Sequence, residues 1–238
     1  MSTDAIPTGA LRRDAGAIDD RLGLAIVAAG LPVPLAIGFG MAYEAITGIS
    51  AVGAIGINVA YGLASLLAVG ATALVLSERE RAAVFQFDWP SRTELTWTAV
   101  GFPVGTALFL AGTVVMNAAG LTVGGYEYTL GDPVTVAAVV FGAVVVAPFA
   151  EELLFRGFLL GSLLGRGRSP AVAGLVSIAA FGLLHVAILG VAGVFVTALW
   201  SVVPTVLRLR FNNLTGAWLL HLVNNVWGYL VVVALGID

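Results

Sequence analysis

The side chains best suited to chemistry are two adjacent glutamates and two histidines that lie within apolar segments. Glu151 and Glu152 belong to the run AEELLFRGFLLGSLL, and His185 belongs to AAFGLLHVAI. His221, in AWLLHLVNNVWG, is the second of only two histidines in the sequence. Since an ionisable residue at the centre of a membrane helix costs about 2.5–3.5 kcal/mol, its presence there indicates a function.

Helical spacing predicts which of these side chains face each other. Residues four apart share a face of a helix, whereas adjacent residues diverge by about 100°. Glu152 and Arg156 are therefore expected to form an ion pair that makes both charges tolerable at depth. Glu151 must then find its partner on another helix, and the two histidines are the expected partners. His221 and Asn225 share a face in the same way, and both are predicted to point to one place in the bundle.

A carboxylate, two imidazoles and a carboxamide that converge in a dry cavity suit hydrolysis. A carboxylate or a histidine can take a proton from water as general base, and the other histidine and the Asn225 amide can donate hydrogen bonds to a developing oxyanion. Alternatively, Glu151, His185 and His221 could hold Zn²⁺ or another divalent metal with an open fourth position. The residues alone leave both the metal-bound and the metal-free route open.

The same residues also have a structural interpretation. A buried Glu–Arg pair often only staples a bundle together, and a lone His or Asn on a membrane helix more often joins two helices. A non-catalytic membrane scaffold or immunity-type protein would not need the full set, however. A proton or ion carrier would need polar residues leading to both membrane faces, and the outer halves of these helices have few. Hydrolysis is therefore the favoured interpretation.

The elements that must position these groups are transmembrane helices. The 238 residues are 59% hydrophobic and 11% charged, whereas soluble domains are about half apolar and about a quarter charged. A spanning helix needs about 20 mostly apolar residues, and open strands cannot satisfy their backbone in lipid. The predicted fold is all-α, a polytopic transmembrane bundle of about seven helices, with an eighth or re-entrant helix left open.

The predicted spans are Leu22–Ile46, Ala51–Leu76, Leu95–Leu121, Val134–Leu164, Ala171–Ile188, Leu189–Leu207 and Leu214–Gly236. A break near Gly190 and Gly193 separates the fifth span from the sixth.

Arginine placement predicts the orientation in the membrane. All 11 basic residues are arginine, a bias that favours a prokaryotic source, and every group of them except the buried Arg156 falls on one side of an alternating seven-helix path. By the positive-inside rule that side is cytoplasmic, which predicts a multi-pass plasma-membrane protein with its amino terminus inside and its carboxyl terminus outside. Residues 1–21 are expected to form a disordered cytoplasmic tail. The arginine groups on the predicted cytoplasmic side are Arg12, Arg13 and Arg21; Arg79, Arg81 and Arg92; Arg166 and Arg168; and Arg208 and Arg210.

Two further features narrow the function. The chain has no cysteine, which excludes disulfides and thiolate metal sites. The net charge of -3 is small and suggests no nucleic-acid partner. The expected partners are the lipid bilayer and a membrane-associated peptide or protein substrate, while the oligomeric state is left open.

Three short motifs resemble those of the CPBP family, the CAAX proteases and bacteriocin-processing enzymes that are also called the ABI family. They are EE-x-x-x-R at Glu151–Arg156, F-x-x-x-H at Phe181–His185 and H-x-x-x-N at His221–Asn225. Their order and helical context match as well, and the resemblance covers roughly Val134 to Gly236. It divides the chain into amino-terminal membrane helices over 22–132 and a catalytic helical core over 133–238.

The resemblance implies an intramembrane endopeptidase whose site opens toward the cytoplasmic face. The predicted site residues are Glu151, Glu152, Arg156, His185, His221 and Asn225. Carried over to this sequence, Glu151 and His185 activate water, and His221 and Asn225 form the oxyanion hole. The family is commonly labelled a metalloprotease, which keeps the metal-bound route open. The implied substrates are a CAAX-type prenylated tail, a peptide leader or a membrane-anchored regulator.

Overall fold

Every regular element that the structure describes is helical. The structure is a computed structural model, and it describes residues 14–236. Six helices in this range are long and apolar enough to cross a membrane, which confirms the predicted fold class. They are α1 (Leu22–Thr47), α2 (Ala54–Val75), α4 (Arg92–Ala118), α5 (Pro133–Gly165), α7 (Val186–Phe211) and α8 (Thr215–Leu235). Two helices are shorter, namely α3 (Glu78–Val84) and α6 (Pro170–Leu184).

The ends of α6 and α7 differ most from the predicted spans. Helix α6 stops at Leu184 instead of Ile188, and α7 continues to Phe211 instead of Leu207. With 15 residues, α6 rises only about 22 Å at ~1.5 Å per residue, which is too short to span the bilayer core. Its last turn closes because the His185 backbone N–H donates to the Gly182 carbonyl at 3.0 Å.

The predicted break between the fifth and sixth spans occurs at only one of the two expected glycines. Gly190 has a φ of 68°, in the left-handed region that favours glycine, and it interrupts the helical path inside α7. Gly193 remains helical and packs closely on Leu189, so the break predicted near these two glycines is confirmed and lies at Gly190. The short stretch between His185 and Gly190 therefore forms the turn between α6 and the main part of α7.

Helix α5 lies at the centre of the bundle. It begins with Asp132, whose carboxylate accepts hydrogen bonds from the backbone N–H groups of Val134 and Thr135, and with Pro133 at the first helical position. From residue 151 to residue 164 every residue is buried. A π-helical stretch over Glu152–Leu159 widens the helix where the first motif lies, a feature that is frequent at functional sites. The predicted end of this span at Leu164 agrees with the observed end of α5 at Gly165.

The described part of the predicted disordered tail is folded. A short 3₁₀ turn spans Gly16–Ile18, and the Ile18 side chain is fully buried against Gly161 of α5. Arg21 then pairs with Glu80 of α3, and this hydrogen bond is the main reason that the pKa of the Glu80 carboxyl falls to about 2. Ile18, an apolar residue among the charged residues of the tail, thus packs on Gly161 of α5. Residues 1–13 of the predicted tail lie outside the described residues.

Candidate active site

The predicted site residues meet at the floor of one cavity. The cavity has a volume of about 660 Å³ and lies among helices α2, α4, α5, α6, α7 and α8. Glu152 and Arg156 do not line it but lie behind its floor, where both are fully buried. Four of the six predicted residues line the cavity, namely Glu151, His185, His221 and Asn225.

Glu151 presents one held and one unbonded carboxylate oxygen. Its Oε1 accepts a hydrogen bond from the Tyr61 hydroxyl at 2.7 Å, while its buried Oε2 accepts none from the described residues. Oε2 lies 3.8 Å from Nε2 of His221, too far for a direct hydrogen bond. The side chain is thus fixed by Tyr61 and keeps one oxygen available for water or substrate.

Glu152 connects the ion pair to the second histidine. The expected pair with Arg156 is present, with Nη1 of Arg156 3.1 Å from Oε1 of Glu152. The same Oε1 lies 2.9 Å from Nδ1 of His221. Because an ionised carboxylate only accepts hydrogen bonds, Nδ1 is assigned the proton, and Nε2 faces the cavity. Glu152 therefore orients His221 as well as neutralising Arg156.

Arg156 carries its charge in a fully enclosed pocket. Its Nη2 donates to the Ser201 carbonyl at 3.3 Å, and its Nε donates to the Thr205 hydroxyl at 3.4 Å. The guanidinium carbon lies 4.3 Å from the centre of the Phe181 ring, a cation–π distance. Together with Glu152, these contacts replace the hydration that the guanidinium loses on burial.

His185 enters the cavity because α6 ends immediately before it. Its Nδ1 lies 2.9 Å from the Phe181 carbonyl one turn earlier, an arrangement in which Nδ1–H donates and Nε2 is left unprotonated. The Phe181 ring contacts both histidines, with its centroid 4.7 Å from the His185 ring and 5.8 Å from the His221 ring. The second motif thus supplies both an imidazole and the aromatic wall that holds it.

Asn225 is fixed by hydrogen bonds at both ends of its amide. Its Nδ2 donates to the Ala143 carbonyl at 2.8 Å, and its Oδ1 accepts from Nδ2 of Asn224 at 3.3 Å. A carboxamide has two N–H groups, so one remains for a ligand in the cavity. The spacing argument that His221 and Asn225 point to one place is consistent with their shared position in the cavity wall.

Tyr61 is the site neighbour that sequence reasoning missed. It is part of α2 and lies 90 residues before Glu151 in the chain, and it belongs to none of the three motifs. A single tyrosine in an apolar helix is also common at membrane interfaces, so its type gave no signal. Ser201 and Thr205, which bind Arg156, were missed for the same reason.

The described residues do not form a metal site in this arrangement. Within residues 14–236, no group of three or more His, Asp or Glu side chains is placed to hold a metal ion. Oε1 of Glu151 and Nδ1 of His221 are already engaged by Tyr61 and Glu152. The remaining atoms, Oε2 of Glu151 and Nε2 of His185 and of His221, are not grouped around one ion in this arrangement, and the use of Zn²⁺ stays a prediction.

Comparison with known families decides the assignment. Residues 133–227 match the family model described as type II CAAX prenyl endopeptidase, Rce1-like. This chain carries an Rce1-like domain. The match confirms the family inferred from the three motifs, and it indicates an intramembrane protease of the CAAX type. Comparisons with curated proteins and with solved structures found no match.

The Rce1-like domain holds the motifs but not the whole cavity. It starts at the first residue of α5 and ends two residues after Asn225. Helices α2 and α4, which precede it, contribute Tyr61, Thr106 and Phe109 to the cavity wall. The amino-terminal helices therefore complete the site, and Tyr61 makes direct contact with the first motif.

Proposed function

We propose that this multi-pass membrane protein is an intramembrane endopeptidase that hydrolyses peptide bonds of a membrane-associated substrate. One observation carries the proposal. The buried Glu151 carboxylate is held by Tyr61 through one oxygen and turns the other toward His221 at 3.8 Å, on the floor of a largely apolar cavity. This is the arrangement that a general base for water requires.

In the proposed reaction, Glu151 and His185 activate water. A water molecule on the cavity floor gives a proton to Oε2 of Glu151 while its oxygen bonds to the scissile carbonyl carbon. The unprotonated Nε2 of His185 accepts a hydrogen bond from the water's other O–H and orients the water without taking that proton. The carbonyl π electrons move to oxygen and form the tetrahedral intermediate. When the C–N bond breaks, Glu151 returns its proton to the leaving amine, so atoms and charge balance.

The developing oxyanion receives hydrogen bonds from His221 and Asn225. Asn225 contributes the amide N–H that its bond to Ala143 leaves unused. His221 donates from Nε2 when both ring nitrogens carry protons, and its Nδ1–H then donates to Oε1 of Glu152 at 2.9 Å. Preorganised donors of this kind are usually the largest single contribution to such catalysis. In this account Glu152 and Arg156 are positioning residues, since neither reaches the cavity.

We propose that water activation uses side chains alone. The support is that, within residues 14–236, no three His, Asp or Glu side chains are placed to hold one metal ion. The hydrogen bonds of Glu151 with Tyr61 and of His221 with Glu152 orient these two side chains and leave Oε2 and Nε2 facing the cavity. If a divalent metal were bound, Glu151, His185 and His221 would be its ligands and it would polarise the substrate carbonyl or lower the pKa of bound water.

The substrate is proposed to be a peptide or protein anchored in the bilayer, and the membrane is proposed to be the plasma membrane. The direct test is cleavage of a library of membrane-anchored peptides, including prenylated tails, by the purified protein in lipid vesicles. Glu151→Gln is the blank, and Glu127→Gln, a change of the same type at an exposed loop position, is the matched control. Peptides cut by wild type and by Glu127→Gln but not by Glu151→Gln are the expected result. If wild type binds peptides and cuts none, the protein is a non-catalytic scaffold.

A further inference from the structure

The two ends of the bundle differ in charge. The arginine end consists of the tail 14–21 and the connections 76–91, 166–169 and 212–214, and the opposite end consists of the connections 48–53 and 119–132. Backbone hydrogen bonds tie each end together, from Leu214 N to Gln86 O at the arginine end and from Gly124 N to Leu189 O at the opposite end. Among the described residues, the only charged side chains at the opposite end are Glu127 and Asp132 in these connections and Glu44 in the last turn of α1.

The cavity extends from its floor toward the opposite end. On α2 its lining begins at Ile57, three residues after the helix starts, and on α8 it continues to Val233, two residues before the helix ends. Tyr126 and Tyr128 of the connection 119–132 form part of its wall. No residue of the arginine-end tail or connections lines it.

The arginine side of the floor is closed by packed side chains. Below Glu151, the α5 residues Phe155 and Phe158 are at most 2% exposed. The backbone of Val84 packs so closely on Gly157 that a Cβ there would lie 2.4 Å from the Val84 oxygen, and Leu214 fills the adjoining space. A substrate therefore cannot reach Glu151 from the arginine end without unpacking the core.

These positions set two sequence-based expectations against each other. The positive-inside rule makes the arginine end cytoplasmic, so the end to which the cavity extends would face outward. The family resemblance instead implies a site that opens toward the cytoplasm. Both cannot hold for this chain. The arginine distribution is a property of the chain's own residues, and it places every described arginine except the buried Arg156 at the end away from the cavity.

We infer that the cavity admits its substrate from the outer side of the membrane, and that the substrate is a membrane-anchored peptide or protein with an apolar, uncharged segment exposed on that side. This rests on the proposed peptidase function. The lining suits such a segment, since Glu151 is its single carboxylate and it includes no basic side chain other than the two histidines. Tyr126, Tyr128 and Trp227 give it aromatic walls of the kind found at membrane interfaces. A prenylated tail in the cytoplasm would be on the wrong side.

The native chain has no cysteine, so single cysteines report the orientation directly. Glu127→Cys places a thiol at the opposite end and Glu78→Cys places one at the arginine end; each replaces one exposed glutamate and leaves every arginine in place. Ile57→Cys places a thiol in the cavity wall. Intact cells are treated with a membrane-impermeant maleimide, and permeabilised cells provide the full-labelling reference for each variant.

The expected result is labelling of Glu127→Cys and Ile57→Cys in intact cells, with Glu78→Cys labelled only after permeabilisation. Labelling of Glu78→Cys in intact cells, or protection of either other variant, would overturn the inference. Labelling needs no turnover, so the expected pattern in a protein that cleaves no peptide would defeat the proposed function and leave the orientation intact. Cleavage only of substrates whose scissile segment is cytoplasmic would defeat the inference and leave the function intact.

Discussion

Replacing Glu152 by glutamine should destabilise the bundle, because it leaves a buried arginine without its counter-charge. Arg156 and Glu152 are both 0% exposed, and their ion pair spans 3.1 Å. Breaking a buried pair by removing one partner costs about 3–5 kcal/mol. The guanidinium retains its contacts with Ser201, Thr205 and the Phe181 ring, which places the loss near the lower end, about 3 kcal/mol.

A loss of that size is large against a total stability of about 5–15 kcal/mol. For a chain of this length, each kcal/mol lowers the melting temperature by about 2–4 °C, so Glu152→Gln should melt roughly 6–12 °C lower in detergent. Glu127→Gln removes an exposed carboxylate and should melt like wild type. Adding Arg156→Met to Glu152→Gln removes the unpaired buried guanidinium and should restore part of the lost melting temperature. A wild-type melting temperature for Glu152→Gln would refute the reasoning, as would a double variant less stable than the single one.

Three further predictions concern the site itself. Tyr61→Phe should lower kcat about tenfold or more with little change in KM, since a hydrogen bond to a charged group contributes about 1.5–3 kcal/mol; an unchanged kcat would mean that Tyr61 does not position the base. His185→Ala, His221→Ala and Asn225→Ala should each remain folded in the membrane, and for the two oxyanion donors the turnover should fall by about 10²–10³. If Asn225→Ala cleaved at the native rate, its assigned role would be wrong. Prolonged dialysis against a strong chelator should leave turnover unchanged, and a loss that only Zn²⁺ restores would show that the metal-bound route operates.

Much of the fold could be predicted from the sequence because a segment in the bilayer must satisfy its backbone hydrogen bonds internally. Apolar stretches of about 20 residues had to become helices, and a spacing of four placed Glu152 beside Arg156. The end of α6 at His185 was not predictable from hydropathy, since the apolar run continues through Ile188. What stops the helix there is backbone hydrogen bonding in its last turn.

Contacts between helices were the part of the site that sequence reasoning could not supply. Glu151 was expected to pair with the histidines, yet its direct hydrogen bond comes from Tyr61 of α2. Glu152 was assigned to Arg156 alone, yet it also binds His221 of α8. Periodicity gives the faces of each helix but not the rotation of one helix against another, so these partners required the packed structure.

The most direct test of the central claim is the turnover of Glu151→Gln, measured beside its melting temperature on a membrane-anchored peptide that the wild type cleaves. Glutamine keeps an oxygen that can accept the Tyr61 hydroxyl, and the Glu151 side chain makes no ion pair on its own helix, so the melting temperature should stay close to that of wild type. Loss of a general base should lower turnover by at least about 10². A stable Glu151→Gln that cleaves the peptide at the wild-type rate would contradict the account.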